Sequence, residues 1–142
     1  MKIRIISKSG RIPEYKTKGS AGFDLEALTD EEICLKPGER KLIPTGLFME
    51  LPEGYEAQVR ARSGLAIKNG IGLINGIGTI DADYRGEICV PLINLGNKDF
   101  SVSNGDRIAQ VVINKIEQAD FELTDNLEET ERGKGGFGHT GI

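Results

Sequence analysis

Two carboxylates, a phenol and a guanidinium fall close together at Asp81, Asp83, Tyr84 and Arg85, and Gly86 closes the group. An ionised carboxylate within hydrogen-bond reach of a water can draw a proton from it. A phenol beside it offers a flat apolar face with one polar tip. Apolar runs at 77–80 and 88–93 flank these residues. The polar groups therefore lie on a turn between two β-rich segments, which is how a rigid scaffold presents chemistry at the rim of a pocket. Taken alone, the same residues also fit a solvated hairpin turn with a surface ion pair.

Two further stretches could handle an anion. Arg62-Ser63-Gly64 opens the segment 62–70, in which Leu65, Ala66 and Ile67 tolerate a helix; Ser63 is expected to cap it and Asn69-Gly70 to end it. Free backbone N–H groups beside a guanidinium suit phosphate, although serine caps are common in any protein. The final stretch, Arg132 to Ile142, sets glycines at 133, 135, 136, 138 and 141 around Phe137, His139 and Thr140. It reads either as a plain tail or as a flexible arm whose backbone wraps a phosphate while its aromatic covers a base.

The rest of the chain must position these residues. A length of 142 residues fits one domain, and 19 glycines with only 38% hydrophobic residues favour many turns and short strands over long helices. The net charge of −4, without a basic stripe, argues against a nucleic-acid polymer as partner. Cys34 and Cys89 have no paired spacing and read as free thiols in a reducing compartment, and a single histidine, His139, leaves no His-rich metal centre. The first residues are too short and too charged for a signal peptide, and no apolar run reaches membrane-spanning length, so a cytoplasmic protein is expected.

Strands are expected over 2–6, 21–28, 32–35, 40–44, 46–51, 55–61, 87–95, 99–102 and 106–113. A hairpin is expected over 71–80, turning at Asn75-Gly76. The alternation in 21–28 sends Phe23, Leu25 and Ala27 to one face and Asp24 to the other. Spacing of roughly ten residues per strand and turn signals an antiparallel sandwich or barrel. The acidic stretch 117–131 reads as a linker.

Taken in order, the segments AGFDL (21–25), RSGLA (62–66), GTIDADYRGE (78–87), GDRIAQ (105–110) and RGKGGFGHTG (132–141) resemble the five motifs of the trimeric dUTPases, the deoxyuridine triphosphate nucleotidohydrolases. Each motif is weak alone, and together they span nearly the whole chain. His139 departs from the pattern, standing where many members carry Ser.

The resemblance implies an all-β, jelly-roll-like antiparallel fold with one short helix. Residues 1–127 would form the domain and 128–142 a flexible Gly-rich arm that closes an active site. It implies a homotrimer with shared sites, the arm arriving from a neighbour; the charge balance and the lack of a long apolar run leave no nucleic-acid or membrane partner expected. The reaction would be hydrolysis of dUTP to dUMP and pyrophosphate with Mg²⁺ as cofactor, which limits uracil incorporation into DNA and supplies dUMP for dTMP synthesis. Asp81 would be the general base. Arg62, Ser63, Gly64, Gln110, Arg132, His139 and Thr140 would hold the phosphates, and Asp24 would reach the metal through water. Asn75 would read the uracil edge, Tyr84 would pack under the deoxyribose and Phe137 would cover the base. Other readings stay open: a dCTP deaminase of similar fold, a dUTP-binding regulator without turnover, and a structural β-sandwich with a tail.

Overall fold

The computed structural model describes residues 1–137; the expectations for His139 and Thr140 lie outside the described residues. The chain runs β1 (Arg4–Ser7), β2 (Gly22–Glu26), β3 (Ile33–Leu35), β4 (Arg40–Ile43), β5 (Leu47–Glu50), β6 (Tyr55–Arg60), α1 (Ser63–Asn69), β7 (Ile71–Leu73), β8 (Ile77–Ile80), β9 (Val90–Asn94), β10 (Phe100–Val102) and β11 (Arg107–Lys115). A four-stranded sheet has the order β2-β11-β6-β8 and a three-stranded sheet the order β4-β9-β7. The pairs β1-β5 and β3-β10 complete the fold. Every pairing is antiparallel, as the strand spacing predicts.

Alternation decides which side chains go inside. Phe23, Leu25 and Ala27 are buried as expected, and Ala57, Val59, Ala109 and Val111 join them from the same large sheet. Ile43, Ile71, Leu73, Val90 and Leu92 come from the three-stranded sheet into the same apolar cluster. Asn94 is fully buried among them; its Nδ2 donates to the carbonyls of Leu35 (2.9 Å) and Lys98 (2.8 Å) and its Oδ1 accepts from Gly96 N–H (2.9 Å). With donors and acceptor matched, the amide costs little and pins three chain segments together.

Two local expectations are corrected. Asn75-Gly76 does turn the chain, with Gly76 at φ 73 and its N–H on the Leu73 carbonyl, yet no hairpin ladder follows. β7 pairs with β9 and β8 with β6, so the two strands diverge into different sheets because each finds its burial elsewhere. Ser63 does not cap α1; the cap position is Arg62, in extended backbone and without a side-chain cap bond. The helix ends as expected, with Gly70 left-handed at φ 70 and its N–H returned to the Ala66 carbonyl. Beyond Ile116 the described chain carries no helix or strand and is almost entirely exposed.

Candidate active site

The residues singled out in the sequence gather into two clusters. The first lies on the outward face of the four-stranded sheet at the β2 edge. In register, Asp24 of β2 faces Gln110 of β11, and Gln110 faces Arg60 of β6. Arg62 follows the end of β6 and turns back over this face. Its Nε meets Asp24 Oδ1 at 3.0 Å, and its Nη1 donates to the Arg107 carbonyl at 2.9 Å. Arg107 Nη1 meets Asp24 Oδ2 at 3.1 Å. Gln110 Nε2 donates to the Ala61 carbonyl at 3.1 Å, so the amide is tied to the chain entering α1. The Asp24 side chain is only 18% exposed, and each of its oxygens has a guanidinium partner.

At the start of α1 the first helical bond runs from Ala66 N–H to the Arg62 carbonyl. The N–H groups of Ser63, Gly64 and Leu65 thus have no partner within the helix. Ser63 and Gly64 are exposed beside the Arg62 guanidinium. Because Ser63 is a helical residue and not the cap, its hydroxyl is not committed to its own helix end.

The second cluster surrounds a cleft of about 380 Å³ between the two main sheets, lined by Asn75, Gly78, Asp81, Tyr84, Glu87 and Cys89, with Leu42, Val59, Leu73 and Pro91 supplying apolar wall. The turn after β8 is closed by Tyr84 N–H on the Asp81 carbonyl (3.2 Å), and Arg85 Nη1 reaches back to the carbonyls of Ala82 (2.6 Å) and Tyr84 (3.0 Å). The Tyr84 hydroxyl donates to the Glu87 carbonyl at 2.9 Å. The ring lies so close over Gly86 that a Cβ there would overlap its hydroxyl end. Glu87 in turn accepts from Gly46 N–H (2.8 Å) and pairs with Lys8 (3.5 Å), tying the turn to the corner before β5. Burial pushes the Cys89 thiol up from its ordinary range, and the nearby Glu87 carboxylate adds to the shift.

These clusters do not meet within one chain. Asp24 and β8 stand on opposite edges of the four-stranded sheet, with Asp24, Gln110, Arg60 and Ile77 in one register row. Three strand spacings give ~14 Å across, and the four residues from Ile77 to Asp81 give ~13 Å along, so the clusters lie roughly 20 Å apart. Arg132 and Phe137 join neither. Arg132 Nε bonds the Gly135 carbonyl in its own turn, and Phe137 is wholly exposed at φ 51. Among the described residues, no three His, Cys, Asp or Glu side chains converge on a metal-sized centre.

A dUTPase family profile matches residues 8–141. The chain belongs to the dUTPase family. It is 56% identical to the deoxyuridine 5'-triphosphate nucleotidohydrolase of Finegoldia magna over 99% of both chains, and 61% identical to that of Treponema denticola over 96% of this chain and 95% of the relative. In fold it is similar to a Staphylococcus bacteriophage 80alpha dUTPase solved with dUpNHpp, at a TM-score of 0.89, 26% identity and 99% coverage of both chains.

Within this dUTPase the residue missed at the sequence level is Arg107. It stands in GDRIAQ, yet its contact with Asp24 depends on an irregularity. The register of β11 against β2 shifts between Arg107 and Ala109, a bulge that swallows Ile108. Ile108 and Ala109 are both buried although adjacent, and two inward residues in succession are the sequence signal of such a bulge. No helix among the described residues is long and apolar enough to cross a membrane.

Proposed function

We propose that this dUTPase hydrolyses dUTP to dUMP and pyrophosphate at a site completed between copies of the chain, in a homotrimer. The observation that carries the reading is the split itself. One cluster offers the Arg62 guanidinium, a helix start and an amide to a phosphate chain, while the other offers an aromatic platform, an amide and a carboxylate to a nucleoside. A rotated copy can bring the phosphate cluster of one chain to the cleft of the next. The exposed apolar residue Leu42 (65%), on the wall of the cleft, supports coverage by such a copy. Residues 1–127 would be the folded unit, and 128–142 the arm that delivers Arg132, Phe137, His139 and Thr140.

In the reaction, Asp81 accepts a proton from a water as the water oxygen bonds to the α-phosphorus. The bond from that phosphorus to the bridging oxygen breaks and pyrophosphate leaves with the electron pair. Arg62, Gln110 and the N–H groups of Ser63 and Gly64 stabilise the phosphate charge; positioning and charge stabilisation carry most of phosphoryl transfer. Tyr84, held down by Glu87 and Gly86, packs against the deoxyribose and leaves no space for a 2′-hydroxyl. Asn75 reads the uracil edge, and Phe137 covers the base when the arm closes, a stack worth roughly 1 to 3 kcal/mol.

Mg²⁺ takes oxygen ligands, and with no protein cage among the described residues it would be carried by the phosphates and water. Asp24 fits an outer contact through water, because both its oxygens already face guanidinium groups and only lone pairs toward solvent remain. When bound, the ion neutralises phosphate charge. Parallel assays of pyrophosphate release from dUTP, dCTP, dTTP and UTP test this function. Release from dUTP alone is expected. Conversion of dCTP to a uracil nucleotide would replace the reading with deamination, and tight dUTP binding without turnover would replace it with a sensor.

A further inference from the structure

Arg107 has no part in the roles above, yet it completes the geometry around Arg62. Arg62 is held at two points, by Asp24 Oδ1 through Nε and by the Arg107 carbonyl through Nη1. Arg107 occupies the other oxygen of the same carboxylate. Two guanidinium groups against one carboxylate leave the cluster with a net positive charge, at a side chain only 18% exposed. Without Arg107, the free Oδ2 would let Asp24 and Arg62 close into a two-bond fork, the preferred arrangement of an arginine and a carboxylate. That fork would be neutral and would turn the Arg62 donors inward.

We propose that Arg107 is a positioning residue for the phosphate grip: by occupying Asp24 Oδ2 it keeps Arg62 singly bonded to Asp24, with its Nη2 donors and the surplus charge directed to an anionic phosphate chain. The bulge at Ile108 makes this possible by turning Arg107 toward Asp24 while both Ile108 and Ala109 go into the core. This rests on the reading that the phosphates lie at Arg62. The alternative for Arg107 is an ordinary surface ion pair, which would contribute little.

The probe is inorganic pyrophosphate with chelator present, titrated calorimetrically at several salt concentrations into the full-length protein and three variants. Arg107→Gln should weaken binding about tenfold, because one fewer positive charge faces a multiply charged anion, and should flatten the salt dependence. Arg107→Lys keeps the charge and should recover the salt dependence with affinity within about threefold of the parent. Asp24→Asn removes the restraint and raises the cluster charge, so it should bind pyrophosphate more tightly. A native-like Arg107→Gln protein with unchanged affinity and salt slope would overturn the proposal. So would an Asp24→Asn protein that binds no better than the parent, and this arm decides the matter if Arg107→Gln does not fold. Absence of any parental binding at millimolar pyrophosphate would also overturn it. Failure of the parent to turn over dUTP would remove the functional reading and leave the charge comparison legible.

Discussion

Gly86→Ala isolates the support of Tyr84 from the fold. A Cβ at position 86 would overlap the hydroxyl end of the Tyr84 ring, and that ring is the far end of a side chain already 43% exposed. The ring can therefore swing outward, and the fold should survive. What is lost is the bond from the Tyr84 hydroxyl to the Glu87 carbonyl, worth about 0.5 to 1.5 kcal/mol at a partly exposed site. For a chain of this length the melting temperature should fall by about 2 to 5 °C. The catalytic consequence should be larger. An aromatic platform contributes about 0.5 to 1.5 kcal/mol beyond its burial, so KM for dUTP should rise about three- to tenfold. Discrimination against UTP should fall by about tenfold or more, since the exclusion of the 2′-hydroxyl depends on where the ring sits. Thermal scans and kcat/KM for dUTP and UTP, measured on the parent and the variant, check both halves. An unchanged dUTP-to-UTP ratio would refute the reasoning. So would a loss of stability above about 3 kcal/mol, because it would mean that the ring cannot move aside.

Asn94→Ala should destabilise the fold by about 3 to 5 kcal/mol in denaturant titration, because three hydrogen-bond partners lose their match inside the core. A loss below about 1 kcal/mol would mean that water replaces the amide. Removing residues 132–142 should leave the fold and the oligomeric mass intact by circular dichroism and light scattering while activity nearly vanishes, since the described part of the arm builds no core. Cys89, whose thiol burial pushes up and which lines the cleft, should react with iodoacetamide at pH 7.5 at least about tenfold more slowly than glutathione. Saturating dUMP should slow that reaction further, and peptide mapping of the labelled protein reads both effects.

The fold class was legible because alternation is local. The pattern around Asp24 places Phe23, Leu25 and Ala27 inside without any knowledge of their partners. Partner choice was not legible. Asn75-Gly76 has hairpin-turn chemistry and does turn, but whether β7 and β8 then pair depends on β6 and β9, and burial against those strands wins. The same limit hides the architecture of the site. Motif order along the chain does not reveal that Asp24 and Asp81 stand near opposite edges of one sheet, since the strand order β2-β11-β6-β8 is set by non-local pairing. Ser63 lies one position past the cap. A serine beside a glycine reads as a cap, whereas the extended backbone of Arg62 already fills that role. The position of Arg107 follows from a bulge whose signal, two adjacent inward residues at Ile108 and Ala109, is easily taken as a break in the strand.

Complementation between two inactive variants tests most directly whether the site is shared between copies of the chain. Asp81→Asn removes the base from the cleft, and Arg62→Ala removes the grip from the other cluster; each protein alone should lose about 10² to 10⁴ in kcat or kcat/KM. Coexpressed in equal amounts and purified as mixed oligomers, the two should regain about a quarter of the parental activity, since one interface in four pairs an intact cleft with an intact grip. A mixture no more active than either variant alone would contradict a shared site and place both clusters in the service of one chain.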